Sequence, residues 1–148
     1  MTSLDGLLEL IEILRERIGK HSQSLQQNEI RTRYALVDPF LAALGWAPGD
    51  PTQVVPEYTV GQAKWADYAL FGSPRKDTPA VFLEVNALRR PLSEGLEQSI
   101  NYCIREGVGY FAVTDGAHLE VYDIYRQGRL PDKKIVEFGV DGDPINLC

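Results

Sequence analysis

The sequence predicts a mixed α/β fold, with a central mixed sheet flanked by helices and an extra helix at the N-terminus. Some segments repeat apolar residues at helical spacing, while others are short alternating or continuous apolar runs bounded by turn formers. One predicted strand leads through a helix to another strand, an order typical of a parallel crossover within a sheet. The remaining strands follow one another directly, which favours antiparallel pairs and therefore a mixed sheet.

Amphipathic helices are predicted over residues 4–18, 24–44 and 91–105, each with one apolar stripe. Gly19 is expected to end the first helix, and a polar linker follows it. Pro39 lies inside the second helix, where it removes a backbone donor and predicts a kink or a break.

Strands are expected where short apolar or alternating runs lie between turn formers. They cover residues 53–60, 65–71, 80–86, 108–114, 118–125 and, at an edge, 135–140. Pro56 cannot donate to a ladder, so the first strand is predicted to lie at an edge or to contain a bulge. Asp115 and Gly116 form a turn signal, which predicts that the strands on either side of them pair antiparallel.

Two carboxylates face each other in the hairpin predicted from strands 65–71 and 80–86. Asp67 and Glu84 lie equally far from the midpoint of the connecting loop, so a symmetric hairpin pairs them directly. Side chains paired in this way have Cβ atoms about 4.5–5.5 Å apart, and two like charges there are destabilising unless something offsets them. A divalent cation such as Mg²⁺ would offset them. The alternatives are a register slip that separates the two side chains and an exposed pair tolerated by solvent.

Length and net charge limit the classes of protein to which this chain can belong. The chain has 148 residues, a net charge of −6 and a pI of about 4.9, and one domain is expected over residues 1–148. The acidic balance argues against a general nucleic-acid binder, whose affinity comes mostly from Lys and Arg, although it permits a local basic patch. The basic residues nearest the candidate site are Arg31, Arg33, Lys64, Arg75, Lys76, Arg89 and Arg90, most of which we expect to be ordinary solvated residues.

Other features of the sequence favour a cytoplasmic protein with no membrane partner. No apolar run approaches the ~20 residues of a membrane span. The N-terminus lacks the basic and apolar regions of a secretory signal. Cys103 and Cys148 form no CxxC pair, so neither a zinc site nor a disulfide framework is expected.

The motifs around the hairpin resemble, in their order, the PD-(D/E)xK nuclease superfamily, and more specifically the N-terminal domain of type I restriction enzyme R subunits. The resembling segments are residues 28–33, 38–46, 66–70, 82–85, 98–102 and 113–116. Each motif is short, and the resemblance rests on their order and spacing. It implies a restriction-endonuclease-like core over residues 28–123, with residues 1–20 as an added N-terminal helix.

This resemblance implies a divalent-metal-dependent DNA endonuclease that hydrolyses phosphodiester bonds. Asp67 and Glu84 would hold Mg²⁺ or Mn²⁺ together with the backbone carbonyl of Val85. The cation would lower the pKa of an attacking water and neutralise charge on the phosphate. Glu29 would match a helical acidic residue that supports the metal shell. Its alternative role is that of a helix N-terminal charge favoured by the macrodipole.

Gln98 and Tyr102 would match the family's QxxxY element, which positions nucleic acid or the site itself. They stand at i and i+4 on one face of the third predicted helix. The alternative is an ordinary helix surface beside the sheet.

Asn86 departs from the family pattern, because the motif ends in lysine and this chain has an amide there. An amide can donate a hydrogen bond to water but carries no charge, and losing such an electrostatic group typically costs about 10²–10³ in rate. Lys64 is expected to point away from the site, since its strand parity is opposite to that of Asp67. Residues 89–90, just past the strand, are the other candidates for a substitute cation.

Three hypotheses follow from the sequence. The first is an active endonuclease, and the second is a catalytically degenerate module that binds nucleic acid or a protein partner, which Asn86 and the acidic charge favour. The third is a generic α/β domain with accidental matches. The chain has no GxxxxGK[ST] loop, so no ATP is expected, and it would act alone, as a homodimer or with a partner subunit.

Overall fold

The computed structural model describes residues 4–72, 77–88, 90–93 and 95–140. Its six-stranded sheet has the strands in sequence order. They are β1 (Val54–Val60), β2 (Ala63–Leu70), β3 (Val81–Val85), β4 (Tyr110–Thr114), β5 (His118–Asp123) and β6 (Lys134–Gly139). β3 and β4 pair in parallel and the other neighbours pair antiparallel, so the predicted mixed sheet is confirmed.

Helices pack on both faces of the sheet. Helix α4 (Leu96–Glu106) connects β3 to β4 and packs in one cluster with Phe82. The next residue along β3, Leu83, faces the opposite side and packs with Leu41 of helix α3 (Asp38–Ala43). Alternation along β3 therefore divides the core into two layers, as expected for a sheet buried on both faces.

The N-terminal helix α1 runs from Leu4 to Gln27 and is longer than predicted, with non-helical dihedrals at His21. Gly19 does not end it. Leu25, beyond that glycine, is buried with the rest of the apolar stripe, and such packing outweighs the roughly 1 kcal/mol that a helical glycine costs. The next helix is capped by Asn28, whose side chain accepts from the backbone N–H of Arg31 at 3.0 Å.

The second predicted helix is divided by a π-helical turn, so the break expected from Pro39 is present. Helix α2 (Glu29–Thr32) leads into the π turn (Arg33–Val37) and then into α3. Pro39 cannot donate to the carbonyl of Ala35, four residues earlier. The guanidinium of Arg17 donates to that carbonyl instead, at 2.7 Å, and joins α1 to the interrupted helix.

Strand β1 lies at an edge of the sheet and its ladder with β2 contains a bulge, as Pro56 predicts. β6 is the other edge strand, again as predicted. The third helix begins at Leu96 and not near residue 91, because its N-cap Gly95 is left-handed, with φ +73°, and a helix cannot continue through that conformation. Within the described ranges no helix is long and apolar enough to cross a membrane. Arg75, Lys76, Arg89 and Cys148 lie outside the described residues.

Candidate functional site

The hairpin of β2 and β3 brings Asp67 and Glu84 together. The ladder extends to Tyr68 opposite Leu83, and one step further along the same register Asp67 stands opposite Glu84. This is the register that the symmetric loop predicts. Asp67 is fully buried, and its carboxylate shares a hydrogen bond with the carboxyl group of Glu84.

Glu29, at the start of α2, completes a group of three acidic side chains. One carboxylate oxygen from each of Glu29, Asp67 and Glu84 lies within 4.8 Å of the others. Oxygen ligands on opposite sides of Mg²⁺ are about 4.2 Å apart, twice the metal–oxygen distance. The three carboxylates therefore offer the oxygen ligands that a divalent ion prefers, and the limit of 4.8 Å keeps them near the spacing around a single ion.

The two central carboxylates have opposite pKa shifts. Burial alone would raise the pKa of Asp67, but hydrogen bonds from Glu84, from Lys64 and from the backbone N–H of Val85, at 2.7 Å, outweigh it and lower that pKa. Burial, the hydrogen bond to Asp67 and the negative charge of Asp67 all raise the pKa of Glu84. In the absence of a cation, Glu84 therefore holds a proton at neutral pH and shares it with an ionised Asp67.

Two basic side chains converge on the same oxygen of Asp67. Arg33 Nη2 and Lys64 Nζ each lie 2.5 Å from Asp67 Oδ1. The expectation that Lys64 points away is wrong. Tyr58 of β1 pairs with Ala66, whereas Thr59 pairs with Lys64, so Trp65 is an extra residue in the ladder. This bulge reverses the alternation of side chains along β2 and turns Lys64 to the face of Asp67.

Glu57 is a member of the site that the sequence analysis missed. Its neighbours Pro56 and Tyr58 pair with Tyr68 and Ala66, so Glu57 stands opposite Asp67 on β1. Its carboxylate accepts from Arg33 Nη1 at 2.6 Å and lies 3.2 Å from Lys64 Nζ. Partial burial alone would raise the pKa of Glu57, but these two cations lower it. Counting outward from the tight turn between β1 and β2 would have placed Glu57 opposite Ala66, because the extra residue at Trp65 shifts the register by one.

Known structures share this architecture, although no protein-family model and no curated protein matches the sequence. One similar structure is a fragment described as the HsdR subunit of a type I restriction enzyme from Vibrio vulnificus YJ016, with 22% identity and a TM-score of 0.58. The match covers 81% of this chain but only 24% of that chain, so the sequence spans about a quarter of its length.

A second similar structure is DrdV in its complex with DNA. It has 13% identity and a TM-score of 0.57, and the match covers 90% of this chain and 87% of that one. The chain has a restriction-enzyme-like fold. At these identities the likeness concerns the fold, and the chemistry has to be argued from the residues of this chain.

Within the restriction-enzyme-like fold, Gln98 and Tyr102 are joined to the site through Trp65. Gln98 Nε2 donates to the hydroxyl of Tyr102 at 2.8 Å, and the ring of Tyr102 stacks on Trp65 with centroids 4.7 Å apart. Among the described residues, no hydrogen bond links either side chain to Asp67 or Glu84. Their contacts support the bulged residue beside Lys64.

Asn86 lies just beyond β3. Its side-chain amide donates to the carbonyl of Pro91 at 3.2 Å, and its backbone N–H donates to Thr114. The side chain thus ties the loop between β3 and α4. Instead, the ammonium group of Lys64 contacts the carboxylates. Regular alternation along a strand would have placed this side chain on the other face of the sheet.

Proposed function

We propose that this chain is a divalent-metal-dependent DNA endonuclease domain that hydrolyses phosphodiester bonds. The observation that carries the proposal is the convergence of Glu29, Asp67 and Glu84 beside the ammonium group of Lys64. The restriction-enzyme-like fold supports it, as does the similarity to DrdV, whose structure was determined in complex with DNA.

Mg²⁺ or Mn²⁺ would be held by Asp67 and Glu84, with Glu29 and the carbonyl of Val85 as further oxygen ligands. When bound, such an ion supplies positive charge that activates an attacking water and offsets the charge of the scissile phosphate.

The chain's own residues supply the remaining chemistry. Glu84 would release its proton to solvent water on becoming a ligand, so that both of its oxygens could accept. Lys64 takes the part of the motif lysine, because its charged Nζ lies beside Asp67 where negative charge develops on the phosphate. Arg33, held against the same carboxylate, contributes a second cation that cannot be deprotonated.

A second candidate function is a catalytically degenerate module that binds nucleic acid or a protein partner. The contacts of Arg33 and Lys64 with Asp67 favour it, because protein cations already neutralise the buried carboxylate. In that case the cluster would stabilise the fold, and the domain would act as a homodimer or with a partner subunit.

The test compares metal binding and DNA cleavage in parallel. Mn²⁺ and Mg²⁺ are titrated by calorimetry, and nicking of supercoiled plasmid is followed on gels, for the wild type and for Asp67→Ala/Glu84→Ala. We expect the wild type to bind metal and nick plasmid, and the double variant to lose both. Glu12→Ala, an exposed change on α1, controls for altered charge. Metal-independent or absent nicking by a folded wild type would overturn the nuclease proposal and favour the second candidate.

A further inference from the structure

Arg33 and Lys64 both contact Asp67 and Glu57, two carboxylates that differ sharply in exposure, and Arg33 also pairs with Glu29 at 3.6 Å. Asp67 is completely buried, whereas the side chain of Glu57 is 54% exposed. Exposed ion pairs contribute little to stability, so the pairs with Glu57 are the ones that another anion can replace.

The contacts made by Glu57 are those that a phosphate group makes. One oxygen faces a guanidinium nitrogen of Arg33 at 2.6 Å and the other faces Lys64 Nζ at 3.2 Å. Carboxylate and phosphate oxygens are recognised by the same forked and ammonium donors. Among the described residues, Arg33 Nε has no hydrogen-bond partner although it is buried, so this arrangement leaves one guanidinium donor unused.

The backbone of Glu57 is held in a conformation that side chains rarely adopt. Among the described residues, Glu57 is the only one other than glycine that has a positive φ, at +54°. Such strain persists where surrounding contacts enforce it, and it concentrates at functional sites. Here Glu57 lies next to the register shift between Tyr58 and Thr59, and its carboxylate covers the two cations.

We propose that Arg33 and Lys64 form a phosphate subsite, which the carboxylate of Glu57 occupies in the free protein. The ligand is a phosphodiester group of a nucleic-acid strand, which displaces Glu57 and takes over its two cations. The identity of this ligand rests on the proposed function, whereas the exchange of one anion for another rests on the contacts described above. Glu57 is therefore an internal competitor of nucleic acid.

The test measures DNA binding in EDTA, where no cleavage occurs. Anisotropy of a fluorescein-labelled duplex oligonucleotide is recorded for the wild type, for Glu57→Gln and for Glu12→Gln, which removes the same charge from α1. We expect Glu57→Gln to bind roughly three- to tenfold more tightly than Glu12→Gln, because the two cations become available. Its affinity should also fall more steeply with salt, with a slope greater by about 0.9 for each added phosphate contact. Equal or weaker binding by Glu57→Gln would overturn the inference.

A second pair of variants separates the subsite from a general charge effect. Adding Arg33→Gln to Glu57→Gln should remove the gain in affinity, and retention of the gain would refute the role of Arg33. Glu57→Gly removes both the carboxylate and the strained side chain, so it should keep the gain and be at least as stable as Glu57→Gln. Loss of the gain in Glu57→Gly would contradict competition by the carboxylate.

Competition with inorganic phosphate shows whether the subsite binds a nucleic-acid strand or a free phosphate ion. It should displace the oligonucleotide from Glu57→Gln only at concentrations far above that of the DNA. Displacement by phosphate at a concentration equal to that of the DNA would overturn the assignment of the ligand to a nucleic-acid strand. The outcome is also separable from that of the nuclease proposal. A gain in binding without plasmid nicking refutes only the nuclease, and nicking without a gain refutes only the subsite.

Discussion

Lys64 Nζ lies 2.5 Å from Asp67 Oδ1, although residues three apart on a regular strand point to opposite faces. The bulge at Trp65 is the cause, since the extra residue reverses the alternation between the two side chains. A lysine is thereby brought to the carboxylates in a chain that has an amide, Asn86, where the nuclease motif that it resembles has lysine. Under the proposed function, Lys64 would therefore replace the lysine that is missing at position 86, and this replacement can be tested.

Replacing Lys64 by Met should lower plasmid nicking by about 10²–10³ while the protein stays folded. The lost ammonium group is the charge that would stabilise the phosphate in the transition state, and groups of this kind have effects of that size. Nicking rates under saturating Mn²⁺ provide the measurement, and circular dichroism checks the fold. Lys20→Met, which breaks an exposed pair with Glu16, is the matched control.

Asn86→Lys in the Lys64→Met background provides the complementary prediction. A lysine at position 86 returns the charge to the family's usual position, and we expect it to recover part of the lost rate. If Lys64→Met nicks plasmid as fast as the wild type, the relocation argument is wrong whatever the double variant does.

Stability should fall as the pH rises, because Glu84 holds a proton in the folded protein. Burial raises the pKa of Glu84 above 4.5, its ordinary value, so the stabilisation is complete below about 4.5 and is lost as the pH rises through the raised pKa. Between these limits the free energy of unfolding should decrease by up to about 1.4 kcal/mol per pH unit. Asp67, with its lowered pKa, opposes this trend only in acid.

Urea denaturation in EDTA across this range tests the effect. Glu84→Gln keeps a neutral group at every pH, so its stability should lose most of this slope, while Glu12→Gln should follow the wild type. A part should remain, because burial and the charge of Asp67 also raise the pKa of Glu29. A slope that persists unchanged in Glu84→Gln would mean that other groups carry the pH dependence.

The order of strands and the central hairpin were predictable because each depends on a local pattern. A loop of turn formers between two apolar runs sets the pairing of Asp67 and Glu84, since the register follows from symmetry alone. The mixed sheet likewise follows from one helical crossover among direct connections.

The charged side chains around Asp67 and Glu84 were not predictable, because their positions depend on a bulge in the β1–β2 ladder. One extra residue at Trp65 reverses the facing of Lys64, and period-two reasoning contains no signal for it. The positive φ of Glu57 lies beside that same register shift, and its contact with Arg33 joins residues 24 positions apart in the sequence. The continuation of α1 past Gly19 similarly depends on burial of Leu25 against distant residues.

Val113→Asp should unfold the domain. Val113 is 1% exposed in the core beneath α4 and pairs with Glu84 across β3 and β4, so the new carboxylate would be buried beside an existing acidic group. An unpaired buried charge costs about 3–5 kcal/mol, a large part of the stability of a typical domain. Circular dichroism and urea denaturation provide the measurement, with Val113→Ala as a control that should remain folded. A folded Val113→Asp of wild-type stability would contradict the burial of β4.

Gly116→Ala should destabilise the protein by about 2–5 kcal/mol, because two separate costs coincide there. The turn between β4 and β5 holds Gly116 at φ +88°, and a left-handed conformation costs an alanine roughly 1–2 kcal/mol. An added Cβ would also lie 2.8 Å from Leu36 Cβ on the buried side of the π turn, and overpacking of this kind typically costs about 1–3 kcal/mol. Gly61→Ala separates the two, since Gly61 has φ +64° but nothing within 4 Å of an added Cβ. Urea denaturation should therefore show a smaller loss for Gly61→Ala than for Gly116→Ala. Equal losses would mean that the turn does not pack against Leu36 as tightly as the structure has it.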